Sequence, residues 1–303
     1  MNESSQHYNG TSTRLIISVF LNGLITVVEI AGGILSNSLA LISDAIHNMS
    51  DTLALVLAWL AHRVGQRKAD ARKTFGYRRF EILSAFINAS ALTGISIYLI
   101  YAAIIRFIQP EPVQPTLMLT IAVIGLFANL LSMLFLHRDS KHSLNVKAAY
   151  LHLLGDTLSS VAVVGGAIVI GFTGLWWIDP VLTLVISGVI IRQAWQILRE
   201  STDILMQAAP AHLDLELIRK TVEQHEAIRN IHHVHCWQLS DRQIHFEAHV
   251  ETTRNMNLQE SGVMIDDISR ILKERYSIGH TTLQVEYQAC ADQNMIRNKP
   301  LRG

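Results

Sequence analysis

Charge is in short supply in this 303-residue chain. Only 17% of its residues are Asp, Glu, Lys or Arg, where a soluble globular domain carries about 25%. Acidic and basic residues number 25 each, so the formal net charge is zero and the basic excess of a nucleic-acid binder is missing. Cysteine is rarer still: Cys236 and Cys290 are the only two, which excludes a disulfide framework and suits reduced cytosolic thiols. No cleavable signal peptide is evident. The first thirteen residues are polar, and the apolar run after them is long enough to remain as a membrane anchor.

What the chain has instead is apolar length, with 50% hydrophobic residues. Crossing a hydrocarbon core of about 30 Å takes about 20 helical residues. Six stretches satisfy this, at 14–34, 39–61, 81–108, 117–136, 147–170 and 176–198. The Leu35–Ser38 break makes the first two a tight helical hairpin, and a proline-rich breaker follows the third at Gln109–Pro115. Basic residues then fix the orientation. Arg63, Arg67, Lys68, Arg72, Lys73, Arg78 and Arg79 follow the second span, Arg138, Lys141 and Lys147 the fourth, and Arg192 and Arg199 end the sixth. The other three connections hold no Lys or Arg. This alternation places the basic loops and both termini in the cytoplasm.

From residue 208 the texture becomes that of a soluble domain. Asp214–Glu226 has the period of an amphipathic helix, and Ile231–Leu239 and Gln243–Glu251 alternate as strands around a turn at Ser240, Asp241 and Arg242. Leu258–Tyr276 is helical by period and Thr281–Tyr287 alternates again. The expected organisation is a polar cytosolic tail (1–13), an all-α six-span membrane domain (14–207), a small cytosolic α+β domain with its helices on one sheet face (208–290), and a disordered tail (291–303).

Inside this apolar background two polar pairs repeat. His47 and Asp51 lie four residues apart in the second span, and His152 and Asp156 repeat the spacing in the fifth. Four residues is close to one turn, so each pair shares one face of its helix. An ionised Asp at mid-membrane costs roughly 2.5–3.5 kcal/mol on insertion scales, so two of them demand compensation. Asp51 stands about ten residues from the inner end of its span and Asp156 about nine from its own, which sets them within about 2 Å in depth. Two imidazoles and two carboxylates complete a tetrahedral set for Zn2+, with Co2+, Ni2+ and Fe2+ as competitors; Mg2+ and Ca2+ prefer oxygen alone. Two carboxylates cancel the charge of a divalent ion, and protons compete with metal for the same atoms. Export of metal in exchange for protons follows as the expected activity.

Asp44, one turn outward of His47, falls at the exit mouth or in the headgroup region. Asn22, Glu29, Asn88 and Asn129 are expected to pack helices or hydrate a cavity. The competing functional class is an intramembrane zinc-dependent hydrolase, which needs an open coordination position and often His-Glu-x-x-His. That motif is absent, and the four candidate donors are all consumed as ligands.

Several segments together resemble the cation diffusion facilitator family: Ser43–Asp51, Phe75–Glu81, Ala85–Ala89, His152–Asp156, His232–Trp237 and His280–Glu286. The resemblance runs from about Arg14 to Cys290 and is closest to bacterial zinc exporters of that family. It implies a homodimer in a bacterial inner membrane, a ferredoxin-like C-terminal fold that dimerises, alternating access, and a transport site of His47, Asp51, His152 and Asp156. His-x-x-x-Asp in the second span is linked in the family to zinc over cadmium. Some members hold a further zinc in the connection after that span. Here Asp70 is present but Lys73 and Tyr77 replace the two histidines, and an ammonium repels a cation, so no metal is expected there. In the C-terminal domain the resemblance favours His235, His249, His280 and Glu286 as zinc ligands, with His232, His233 and His245 as secondary candidates. Strict alternation puts His233 and His235 on one strand face, and His245, Glu247 and His249 on one face of the next.

Overall fold

A computed structural model describes residues 22–137, 144–240, 243–288 and 294–296; the side chains of residues 55, 58, 62, 135–149 and 152 lie outside that description. Contacts divide the chain into two compact units, one of residues 1–60 and 85–198, the other of residues 61–84 and 199–303.

The first unit is built of helices: α1 (described over Asn22–Ser36), α2 (Leu39–Gly65), α3 (Arg79–Ile108), α4 (Pro115–His137), α5 (Leu144–Thr173) and α6 (Ile178–Leu205). Four described stretches are long and apolar enough to cross a membrane: Arg79–Ile108, Pro115–Leu134, Leu153–Thr173 and Ile178–Leu205. Large apolar side chains such as Tyr98, Tyr101, Ile104, Phe127, Val185 and Trp195 face outward, which suits helices whose surroundings are lipid rather than water. Inward, Ala40, Leu41, Met118, Ala122, Val163, Ala167, Ile186 and Ile190 form the core. The residues are small where helices approach closely. A Cβ at Gly125 of α4 would collide with the Glu29 carboxylate of α1.

Helix α2 is long enough to span but is polar on several sides. Ser43 hydrogen-bonds Ser187 of α6, Asp44 accepts from Ser159 and Ser160 of α5, Asn48 donates to Glu29 of α1, and Asn88 of α3 donates to Ser50. The helix is a hub that these polar side chains join to its neighbours, as polar groups in a low-dielectric interior are expected to be. Its first turn is capped twice. Ser38 accepts from the Leu41 amide at 3.1 Å, while Asp179 of α6 accepts from the amides of Leu39 and Ala40 at 3.0 and 3.2 Å. Arg106 of α3 closes this knot, donating to Asp179 at 3.1 Å and to the Asn37 carbonyl at 2.6 Å. Asn37 itself sits at φ 55°, a left-handed conformation that Asn tolerates better than most residues.

The second unit carries α7 (Leu215–Glu223), β1 (Ile228–Ser240), β2 (Gln243–Thr252), α8 (Leu258–Tyr276) and β3 (His280–Glu286). The sheet order is β1-β2-β3, with β1 antiparallel and β3 parallel to the central β2. A parallel neighbour requires a crossover, and α8 supplies it. Asp214 caps α7, and Asn257 with Glu260 forms a capping box on α8. Ile218, Val222, Met264, Ile268 and Leu272 of the two helices pack against Ile231, Ile244, Phe246, Ala248 and Val250. Cys236 belongs to this core, and burial pushes its thiol up to about 11, which leaves it a protonated hydrophobe. The expected element order is observed. The tail expected at 1–13 lies outside the described residues. Of the tail expected at 291–303, residues 294–296 are described, and the carbonyls of Asn294 and Met295 accept from His233 and Val234 at 3.3 and 2.7 Å.

Candidate metal centre

The α2 and α5 faces chosen by the four-residue spacing meet. His47 Nε2 lies 3.4 Å from Asp156 Oδ1 and 3.9 Å from Asp51 Oδ2. One ligand atom from each of these residues falls within 4.8 Å of the other two, a separation that one tetrahedral ion spans. Asp156 and His47 are buried and Asp51 is partly open. His152 stands one turn before Asp156 on α5, with its side chain outside the described residues. Beside the site a cavity of about 360 Å³ is lined by His47, Asp156 and Ser159 on the polar side and by Val185, Val189 and Ile190 of α6. A buried site bordered by open volume and built from three ionisable groups is suited to taking up and releasing a charged species.

Asp44 turns into the helical unit. It is 2% exposed and accepts from Ser159 at 2.6 Å and Ser160 at 3.2 Å, so its oxygens are already engaged. Asn22, Glu29, Asn88 and Asn129 each bond across a helix pair, in the packing role expected of them.

A second, largely buried donor cluster lies on the C-terminal sheet. Strand β1 carries a register shift between His232 and His235, where His233 adopts φ 49°. The extra residue of this bulge places His232 opposite His249, while His235 remains opposite Glu247. The rings of His232, His233 and His249 lie with centroids 4.7–5.5 Å apart, and ligand atoms of the three fall within 4.8 Å of one another. Glu286 of β3 stands against them, with Oε1 2.8 Å from His249 Nδ1 and Oε2 3.4 Å from His232 Nε2.

The tautomer of His232 can be derived. Asn230 donates its amide to Glu251 at 2.8 Å, so its Oδ1 is the acceptor facing His232 Nδ1, also at 2.8 Å. Nδ1 therefore carries the hydrogen, and the lone pair of neutral His232 sits on Nε2, aimed at the cluster. Three imidazoles and one carboxylate fit a tetrahedral zinc ion.

Of the four residues favoured for this domain, His249 and Glu286 are together and His235 and His280 are elsewhere. His235 is exposed, and His280 pairs with His245, ring centroids 4.7 Å apart. The correction has a physical cause: the bulge breaks the period-2 alternation that placed His233 and His235 together and makes His232 a cluster member.

In the connection between α2 and α3, Asp70 accepts from the amides of Arg72 and Lys73 at 2.8 Å each and from Tyr77 Oη at 2.9 Å. These hydrogen bonds hold its carboxyl below the usual range. The Asp70 oxygens thus build a turn.

A multi-pass helical unit with a buried His and Asp cluster defines a membrane protein that handles cations. The sequence profile of the cation efflux transmembrane domain matches residues 15–206, and that of the cation efflux protein cytoplasmic domain matches residues 210–288. The chain belongs to the cation efflux family. It is 38% identical to the zinc transporter ZitB of Escherichia coli, covering 97% of this chain and 94% of that protein. It is 36% identical to the metal cation efflux system protein CzcD of Cupriavidus metallidurans, covering 95% and 90%. It is 38% identical to the cadmium, cobalt and zinc/H(+)-K(+) antiporter of Bacillus subtilis, covering 97% and 95%.

Proposed function

We propose that this protein exports Zn2+ from the bacterial cytoplasm across the inner membrane in exchange for protons. It works as a homodimer of six-span protomers, with both termini cytoplasmic and a ferredoxin-like C-terminal domain. The observation that carries the reading is the convergence of His47, Asp51 and Asp156 inside the helical unit, with His152 one turn from Asp156. His47, Asp51, His152 and Asp156 hold the ion as cargo. Metal needs neutral imidazole and ionised carboxylate, so a proton arriving on any donor weakens the grip on the ion. Alternating access of one site to the two sides turns that competition into exchange. The names of the relatives, zinc transporter and zinc/H(+)-K(+) antiporter, point the same way. Co2+, Ni2+, Fe2+ and Cd2+ are weaker cargoes of the same donors.

His232, His233, His249 and Glu286 are the ligands of a resident zinc in the C-terminal domain. When bound, that ion supplies charge that ties β1, β2 and β3 together. It also gives the cytosolic zinc level a means of clamping the two domains of the dimer.

The test is Zn2+ uptake into inverted proteoliposomes under an imposed pH gradient. The parent accumulates zinc in proportion to the gradient, and Asp51→Ala and Asp156→Ala fall to the level of protein-free vesicles. Uptake that ignores the gradient removes the antiport, and uptake that survives both substitutions removes the site.

A further inference from the structure

A second feature of the C-terminal unit shares no residue with the donor cluster. Between the connection after α2 and one end of the sheet lies a cleft of about 730 Å³, within the size range of small-molecule sites. Arg67, Lys68 and Arg78 line it on one side, and His245 and His280 on the other, with Phe75 between them. No Asp or Glu is among its lining residues. The three basic side chains are exposed, and among the described residues none of them makes an ion pair. His245 is buried at 6% exposure, stacked on Trp237 with centroids 5.3 Å apart and met edge-on by Phe75 at 5.3 Å. Its Nδ1 lies buried without a hydrogen-bond partner among the described residues. Gly76 holds the connection in a left-handed turn at φ 73°, which lets its backbone fold back by Arg67.

Three cations and two imidazoles are thus gathered around one concave space with no carboxylate among its lining residues. Like charges around one cleft repel one another, and the arrangement is stabilised by an anion that enters. Two guanidiniums favour an anion with several oxygens in one plane or tetrahedron, which they bind by paired N–H donors. A phosphate ester carries the charge and the oxygens.

We propose that this cleft binds a phosphate-bearing anion, either the headgroup of an anionic phospholipid or a soluble phosphate. Both sources share the chemistry that the cleft recognises. Gly65, the last residue of α2, lines the cleft.

The experiment titrates the full chain in neutral detergent with three probes: dioctanoyl phosphatidylglycerol, inorganic phosphate, and dioctanoyl phosphatidylcholine as the zwitterionic comparison. Binding is read by calorimetry in the parent, in Arg67→Gln/Arg78→Gln, in Lys68→Gln, and in Lys273→Gln on α8, whose exposed side chain is not among those lining the cleft. The parent binds phosphatidylglycerol or phosphate saturably and more tightly than phosphatidylcholine. The double substitution weakens this about tenfold or more, the scale of losing charged hydrogen bonds, and Lys273→Gln leaves it unchanged. Phosphatidylglycerol alone identifies a lipid site, phosphate alone a soluble one. The proposal is overturned if no anionic probe exceeds phosphatidylcholine, if the double variant binds like the parent, or if Lys273→Gln weakens binding equally. Should the double variant fail to fold, Lys68→Gln decides the matter, since an exposed, unpaired lysine contributes nothing to folding that its amide replacement lacks.

Discussion

The two clusters of donors differ in what a single substitution should do. At the proposed transport site, His47→Asp replaces the imidazole that faces both carboxylates with another oxygen donor. The zinc preference of a mixed nitrogen and oxygen set should weaken, and the ratio of Zn2+ to Cd2+ transport in vesicles is expected to fall about tenfold, the scale of a change in ligand environment. An unchanged ratio would show that His47 does not select the ion. In the C-terminal cluster, His232→Ala should remove about one zinc per protomer by elemental analysis of the purified chain, while His235→Ala leaves the content intact. The reverse result would dismantle the cluster drawn around the bulge. His245 offers a pH test. Burial first, then His280, Arg78 and Arg79, hold its imidazole below the ordinary value of 6.5. The unfolded chain therefore takes up this proton at a higher pH than the folded one. The contribution of His245 to stability is complete above the unfolded value and is lost as pH falls through the lower folded value. In zinc-free buffer the unfolding midpoint should drop between about pH 7.5 and about 5.5, and drop less in His245→Gln; parallel profiles would exclude this residue as the cause.

Elements decide which of these residues the sequence could announce. His-x-x-x-Asp was legible because four residues approximate a helical turn, so one helix face could be read from spacing alone. His232 was not, because its place depends on a one-residue bulge that the alternating pattern around it conceals. The same limit hid Asp179 and Arg106. Each reads as a polar residue near the end of an apolar run, and only their packing shows Asp179 capping α2 with Arg106 bound to it. That pair is 0% and 9% exposed at its side chains, and removing one partner of a buried pair costs about 3–5 kcal/mol. Arg106→Met should accordingly lower the thermal midpoint of the detergent-solubilised protein well beyond a surface control such as Arg270→Met. A midpoint matching that control would mean the cap holds without its guanidinium.

At the scale of the molecule, the apolar runs read at 39–61, 81–108, 117–136, 147–170 and 176–198 overlap α2 to α6, and the polar residues of α2 are spent on other helices rather than on water. The C-terminal order of helix, two strands, helix and strand was readable from period changes, whereas the pairing of β3 beside β2 needed the crossover by α8. If zinc clamps the two C-terminal domains, labels placed on the exposed α8 should draw closer on adding Zn2+ to the full dimer, and His249→Ala should abolish the change; labels that move equally in both would leave the cluster a purely structural one. One contact bears on how such experiments are engineered. The outer edge of β1 at the bulge is not bare, because Asn294 and Met295 lie along it and accept its two turned-out amides. A chain cut back to residue 288 would strip that selvedge, leave the amides of His233 and Val234 without those acceptors, and slacken the kink that aims His232 at its companions. Removal of that segment should therefore weaken the zinc binding proposed for the cluster.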